Sequence, residues 1–225
     1  MGYEKFDGRF DVAQHHEPIA VALEERAVPR FTLLIRTAKL VCGEAEYLCV
    51  IRDVSAEGVS ARLFHPLPPV SRLPADPDAR FVLEMQTGDL HPVRAVWEKP
   101  GEAGFQFLTP VDVEQMIRRS SQFPKRELRF TAQLPVKLVV PGAKHPAMLH
   151  NISQQGAMIE AGEHLKIAQT MWIESRSLPD IEAKVRWRQG ERYGLIFDTT
   201  FRMGDLAEII RLLQKRVGGA GKPPS

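Results

Sequence analysis

One set of landmarks occurs twice in this chain, in the same order, and that duplication constrains the fold more than any other feature. In the first half Arg30-Phe31-Thr32 opens an apolar run, and Asp53-Val54-Ser55-Ala56-Glu57-Gly58, Val93 to Trp97 and Gly104-Phe105-Gln106-Phe107 follow. In the second half Arg129-Phe130-Thr131 is followed by Asn151-Ile152-Ser153-Gln154-Gln155-Gly156, Val185 to Trp187 and Gly194-Leu195-Ile196-Phe197. The offset falls from 99 residues to 90, so the first copy carries about nine extra residues, expected in the proline-rich loop Pro66 to Ala79. Two copies at so long a spacing do not make a solenoid, and 225 residues suffice for two domains of ordinary size. The expected division is a flexible segment over 1–23, domains over 24–120 and 121–217, and a disordered Gly/Pro/Ser-rich tail over 218–225.

Within each copy the segments are short, β-branched and bounded by Gly, Pro or Asn, which is the signature of strands. Ile181, Ala183, Val185 and Trp187 alternate with Glu182, Lys184, Arg186 and Arg188, as a half-buried strand requires. Phe31 to Cys42, Tyr47 to Val54, Val59 to Phe64, Phe81 to Thr87, Val93 to Trp97 and Phe105 to Leu108 make six strands in the first copy, and the second copy matches. The predicted fold is all-β, with two six-stranded antiparallel barrels, since closure removes exposed sheet edges. A short helix should follow each barrel: Val113, Met116 and Ile117 carry helical spacing after the N-cap candidate Asp112, and Leu206, Ile209, Ile210, Leu213 and Val217 repeat it after Gly204-Asp205.

Several function classes are disfavoured. No apolar run approaches the length of a membrane span, and Met1 to His16 lacks the features of a secretory signal, so a cytoplasmic protein is expected. There is no Gly-x-Ser-x-Gly elbow, P-loop, dinucleotide fingerprint or His-Glu-x-x-His motif, so no enzyme is expected. Cys42 and Cys49 give no zinc spacing; on one strand they would face opposite sides, and buried reduced thiols are expected. His15-His16 has no cluster to complete a metal site, so no metal and no cofactor are expected. Residues 26–110 hold ten Lys+Arg against ten Asp+Glu, whereas residues 125–225 hold sixteen against ten. That basic excess leaves open a ligand-independent protein- or nucleic-acid-interaction module, although no aromatic ladder is interleaved with the basic residues, which argues against DNA or RNA. Trp97 and Trp187 are expected in the cores, as is Trp172.

Arg26-Ala27-Val28-Pro29-Arg30 sets two guanidinium groups four residues apart ahead of the first β-rich unit, and Asp53-x-Ser55-x-x-Gly58 follows. The combination resembles the PilZ family pattern, Arg-x-x-x-Arg and then [Asp/Asn]-x-Ser-x-x-Gly on a six-stranded barrel. Trp97 and Gly104 to Phe107 extend the likeness, which spans about residues 24–110 and again 125–200. The resemblance implies a bacterial second-messenger receptor that binds cyclic di-GMP through Arg26, Arg30, Asp53, Ser55 and Gly58, and relays this to a protein partner that the residues do not name.

The residue types suit such a ligand. Cyclic di-GMP carries two phosphodiester charges and two guanines, and a guanidinium can fork onto phosphate oxygens or onto guanine O6 and N7. The Asp53 carboxylate can accept from guanine N1 and N2, the Ser55 hydroxyl can add a bond, and Gly58 permits positive φ or close ligand approach. Asp53 and Ser55 share a face if the strand stays regular. Ligand neutralising the arginines would order the loop before the barrel. The bland alternative is a solvated arginine pair and a turn closed by side-chain bonds to the backbone. The second copy has Lys125, Arg126 and Arg129 with Asn151, Ser153 and Gly156. Lysine lacks the planar fork, so this site can bind more weakly, use Arg126 after a local shift, or serve only in domain pairing.

Overall fold

The protein, described here from a computed structural model, is resolved into secondary structure over residues 31–68, 81–116 and 127–217, with side chains described from 36 to 214 within these segments. The first copy comprises β1 (Phe31–Cys42), β2 (Ala45–Val54), β3 (Gly58–Leu63), β4 (Phe81–Met85), β5 (Leu90–Lys99) and β6 (Glu102–Phe107). The second comprises β7 (Phe130–Val140), β8 (Ala143–Ile152), β9 (Gly156–Glu160), β10 (Thr170–Glu174), β11 (Ile181–Gln189) and β12 (Arg192–Phe197). Each set closes into an antiparallel barrel, in the order β1-β2-β3-β6-β5-β4 and the matching β7-β8-β9-β12-β11-β10. Period-two burial drives this closure; along β7, Phe130, Ala132, Leu134, Val136 and Leu138 point inward while the intervening residues face out.

The duplication reaches into the irregularities. Register shifts fall between Ile51 and Asp53 and between Leu149 and Asn151, and again between Ala95 and Trp97 and between Val185 and Trp187. The connection from β3 to β4 spans 64–80, against 161–169 in the second copy, so the extra residues fall between these two strands. The part of that loop over 69–80 lies outside the described residues, as do 1–30, 117–126 and 218–225.

A helix α1 begins at 113 and is described to 116, with Asp112 as its cap: the Asp112 Oδ1 accepts from the Gln115 N–H at 2.9 Å. The helix α2 (Met203–Val217) buries Leu206, Ile209, Ile210 and Leu213 against the second core. It also reaches the first barrel, where Leu48 of β2 packs into the same cluster and Gln214 Nε2 donates to the Glu46 carbonyl at 2.5 Å.

Cys42 and Cys49 sit on neighbouring strands rather than one, and both are buried. Desolvation pushes the Cys49 thiol up to about 12, and burial raises Cys42 as well. Since the thiolate is the reactive form, Cys49 is expected to resist iodoacetamide in the native protein at about pH 8 and to react on unfolding. Mass spectrometry of the alkylated chain, native and in denaturant, checks this.

Candidate functional site

Strand register sets the start of each barrel's first strand beside the strand end that leads into the Ser-Gly turn. Phe31 pairs with Val54 and Thr32 with Asp53, so the chain enters the first barrel alongside the Asp53 strand end. In the second copy Phe130 pairs with Ile152 and Thr131 with Asn151. Arg129, directly before β7, is exposed. Arg26, Arg30, Lys125 and Arg126 lie outside the described residues.

After Val54 the chain leaves β2 and turns, because the Ser hydroxyl and the Gly backbone close a short loop. The Ser55 N–H donates to the Gly58 carbonyl at 2.8 Å, and the Gly58 N–H donates to Ser55 Oγ at 3.2 Å. The second copy repeats this with Ser153 and Gly156 at 2.8 and 3.1 Å. Both serines are buried, so their hydroxyls hold the turn in place. The shared face expected for Asp53 and Ser55 is absent: the bulge before Asp53 and the end of the strand at Val54 break the alternation, and Val54 and Ser55 are both buried.

Positive φ is not what calls for glycine at these turns. Neither Gly58 nor Gly156 has positive φ, and what crowds each is the next strand of its own barrel. A Cβ on Gly58 would stand 2.7 Å from the Phe105 carbonyl oxygen, and one on Gly156 2.3 Å from that of Leu195. Backbone cannot swing aside as a side chain can. Gly58→Ala is expected to cost about 1–3 kcal/mol and Gly156→Ala to fall at the upper end of that range. Urea unfolding of the two variants checks the order.

The two turns differ in what surrounds them. Asp53 Oδ2 accepts from the hydroxyl of Ser60, its cross-strand partner, at 3.1 Å. The cross-strand partner of Asn151 is Met158, which cannot donate, and the buried Asn151 Oδ1 has no hydrogen-bond partner among the described residues. Ser153 Oγ donates to Glu127 Oε2 at 2.6 Å, a carboxylate contact that Ser55 does not make among the described residues. Glu127 also lines a cavity of about 290 Å³ bounded by Gln154 and Gln155 of the turn and by Thr37 and Gln86 of the first barrel.

Around the second copy's strand start, the first barrel supplies a charged clamp. Lys39 Nζ donates to the Arg129 carbonyl at 3.0 Å and to Glu46 Oε1 at 3.2 Å, and lies 2.8 Å from Glu84 Oε2. Glu46 in turn accepts from the Thr131 N–H at 2.6 Å and from its hydroxyl at 3.2 Å. Burial alone would lower the Lys39 pKa, but the two carboxylates outweigh it and the net direction is upward. Sequence reasoning missed Ser60, Glu127, Lys39 and Glu46. Glu127 alone had a visible signal, since it replaces the Val28 of the first copy inside the aligned motif.

The tryptophans are corrected. Trp97 is 42% exposed and Trp172 46% exposed, and Trp187 is half-buried. The bulge just before Trp97, and its counterpart before Trp187, shifts the inward–outward alternation, and the indole lies outside the barrel across the opposing glycine. A Cβ on Gly104 would meet Trp97 Nε1, and one on Gly194 would meet Trp187 Nε1. The repeated Trp and Gly landmarks are therefore contact partners.

The PilZ domain family model matches residues 24–123 and again 118–215. The chain belongs to the PilZ domain family. PilZ domains are cyclic di-GMP-binding receptor domains rather than catalytic ones, and this protein carries two in tandem. A search of curated proteins returned no match. Among solved structures, the chain is similar to the Borreliella burgdorferi PlzA protein in complex with c-di-GMP, at 14% identity over 80% of this chain and 86% of that one, with a TM-score of 0.33. It is also similar to the Bacillus subtilis inhibitor of motility MotI/DgrA, at 14% identity over 84% and 100% with a TM-score of 0.31. YcgR from Escherichia coli in complex with c-di-GMP follows at 9% over 82% and 83%, with a TM-score of 0.29. Likeness this distant has no bearing on residue roles. Among the described residues no cluster of metal-ligating side chains occurs, and no helix is long and apolar enough to cross a membrane.

Proposed function

We propose that this tandem PilZ protein is a cyclic di-GMP receptor whose principal site is in the first copy, formed by Arg26 and Arg30 with the Asp53-x-Ser55-x-x-Gly58 turn. The observation that carries the reading is the register of β1 on β2. Thr32 opposes Asp53 and Phe31 opposes Val54, so chain connectivity brings the segment that ends in Arg30 up to the strand end that bears the carboxylate. The arginines supply forked donors for the phosphodiesters and guanine edges, and Asp53 an acceptor for guanine N–H groups. Ser55 and Gly58 shape the turn that presents Asp53.

Ligand binding orders the arginine segment against the barrel, because a dianion removes the mutual repulsion of the two guanidinium groups, and the altered surface is relayed to a protein partner. The clamp of Lys39 and Glu46 on the second copy gives the first barrel a contact through which the change can reach the second. Titration calorimetry of the intact chain with cyclic di-GMP tests the proposal. Saturable binding that survives an excess of GTP is expected; absence of saturable heat removes the receptor reading.

A further inference from the structure

We infer that Glu127 is a built-in anion that keeps cyclic di-GMP out of the second copy's motif, so that the chain has one working site rather than two. The inference rests on the cyclic di-GMP reading of the motif. Three observations carry it. The turns of the two copies are the same in backbone bonding, yet among the described residues only Ser153 has a carboxylate on its hydroxyl, at 2.6 Å. Glu127 lies two residues before Arg129, where the first copy has the apolar Val28 two residues before Arg30. Asn151 stands where the first copy has Asp53, and its buried amide oxygen has no partner among the described residues, so the second motif lacks the carboxylate–hydroxyl bond that Asp53 makes with Ser60.

These features describe a motif that keeps Arg129 and the Ser-Gly turn but places a carboxylate directly on the turn's serine. A phosphodiester drawn toward Arg129 would have to approach the turn past the Glu127 carboxylate. Like charges at such range disfavour each other strongly, and a hydroxyl with one hydrogen cannot donate to both anions at once. The carboxylate therefore acts as a resident competitor. Glu127 is itself exposed, and the short bond to a Ser153 that is 3% exposed tethers its carboxylate at the turn.

Equilibrium dialysis with radiolabelled cyclic di-GMP on the intact chain tests this, using Glu127→Val, which installs the first copy's residue, and Glu127→Gln, which keeps size and removes charge. Circular dichroism confirms folding. The second motif's affinity is expected to rise about 10- to 100-fold on loss of the charge, so that nucleotide bound at saturation doubles over the native chain. Adding Arg129→Ala to Glu127→Val should return it to the native level. An unchanged amount in both variants overturns the inference and leaves the first site standing. If the native chain binds nothing, the reading of the first copy falls, while a gain in Glu127→Val still upholds the role of Glu127; no binding in any of these proteins removes both.

Discussion

Arg30→Ala is expected to weaken cyclic di-GMP binding by at least about 2 kcal/mol, some 30-fold, because it deletes a charge-assisted forked contact to the ligand. The fold should survive, since Arg30 precedes β1 rather than forming part of a barrel strand. Arg129→Ala should cost the high-affinity event much less. Its motif has lysine at the first basic position, Asn151 in place of the carboxylate, and Glu127 on the serine. Calorimetry on both variants, with circular dichroism alongside, decides the assignment. A larger loss from Arg129→Ala would place the principal site in the second copy.

Lys39→Met is expected to destabilise the protein by about 3 kcal/mol, because it strands two partly buried carboxylates, Glu46 and Glu84, without the cation between them. It also removes the donor to the Arg129 carbonyl, so the docking of the second copy on the first should loosen. The pH dependence has a definite sign. The folded Lys39 pKa is raised above its ordinary 10.5, so its contribution is fully present below that value and is lost as pH rises through the higher folded value. The stability difference between native and Lys39→Met proteins in urea should therefore hold at about pH 9 and shrink as the pH rises past the ordinary lysine value. A difference that stays constant across that range would mean that the lysine acts through packing and not through its charge.

Much of the architecture could be read in the sequence because its signals are local and repeated. Period-two alternation along Ile181 to Arg188 marks a strand in any context, and Asp112 before Val113 marks a helix start. The duplicated landmarks then gave each barrel a second witness, down to the longer connection before β4. What escaped depends on registers that alternation alone does not set. The bulges before Trp97 and Trp187 turn the indoles outward, and the bulge before Asp53 puts Ser55 off the face it was expected to share. Ser60, although close in sequence, becomes relevant only through its pairing with Asp53. Lys39 and Glu46 carry no motif at all, and their importance arises from the docking of one barrel on the other, where Lys39 meets Arg129 and Glu46 meets Thr131.

Hydrogen–deuterium exchange of the intact protein with and without saturating cyclic di-GMP tests the central claim most directly, because it reports both whether the nucleotide binds and which motif it meets. The account predicts ligand-dependent protection in peptides spanning residues 24–32 and 53–60, with little change at 125–131 and 151–156. Protection confined to the second pair of segments, or none anywhere, would contradict it.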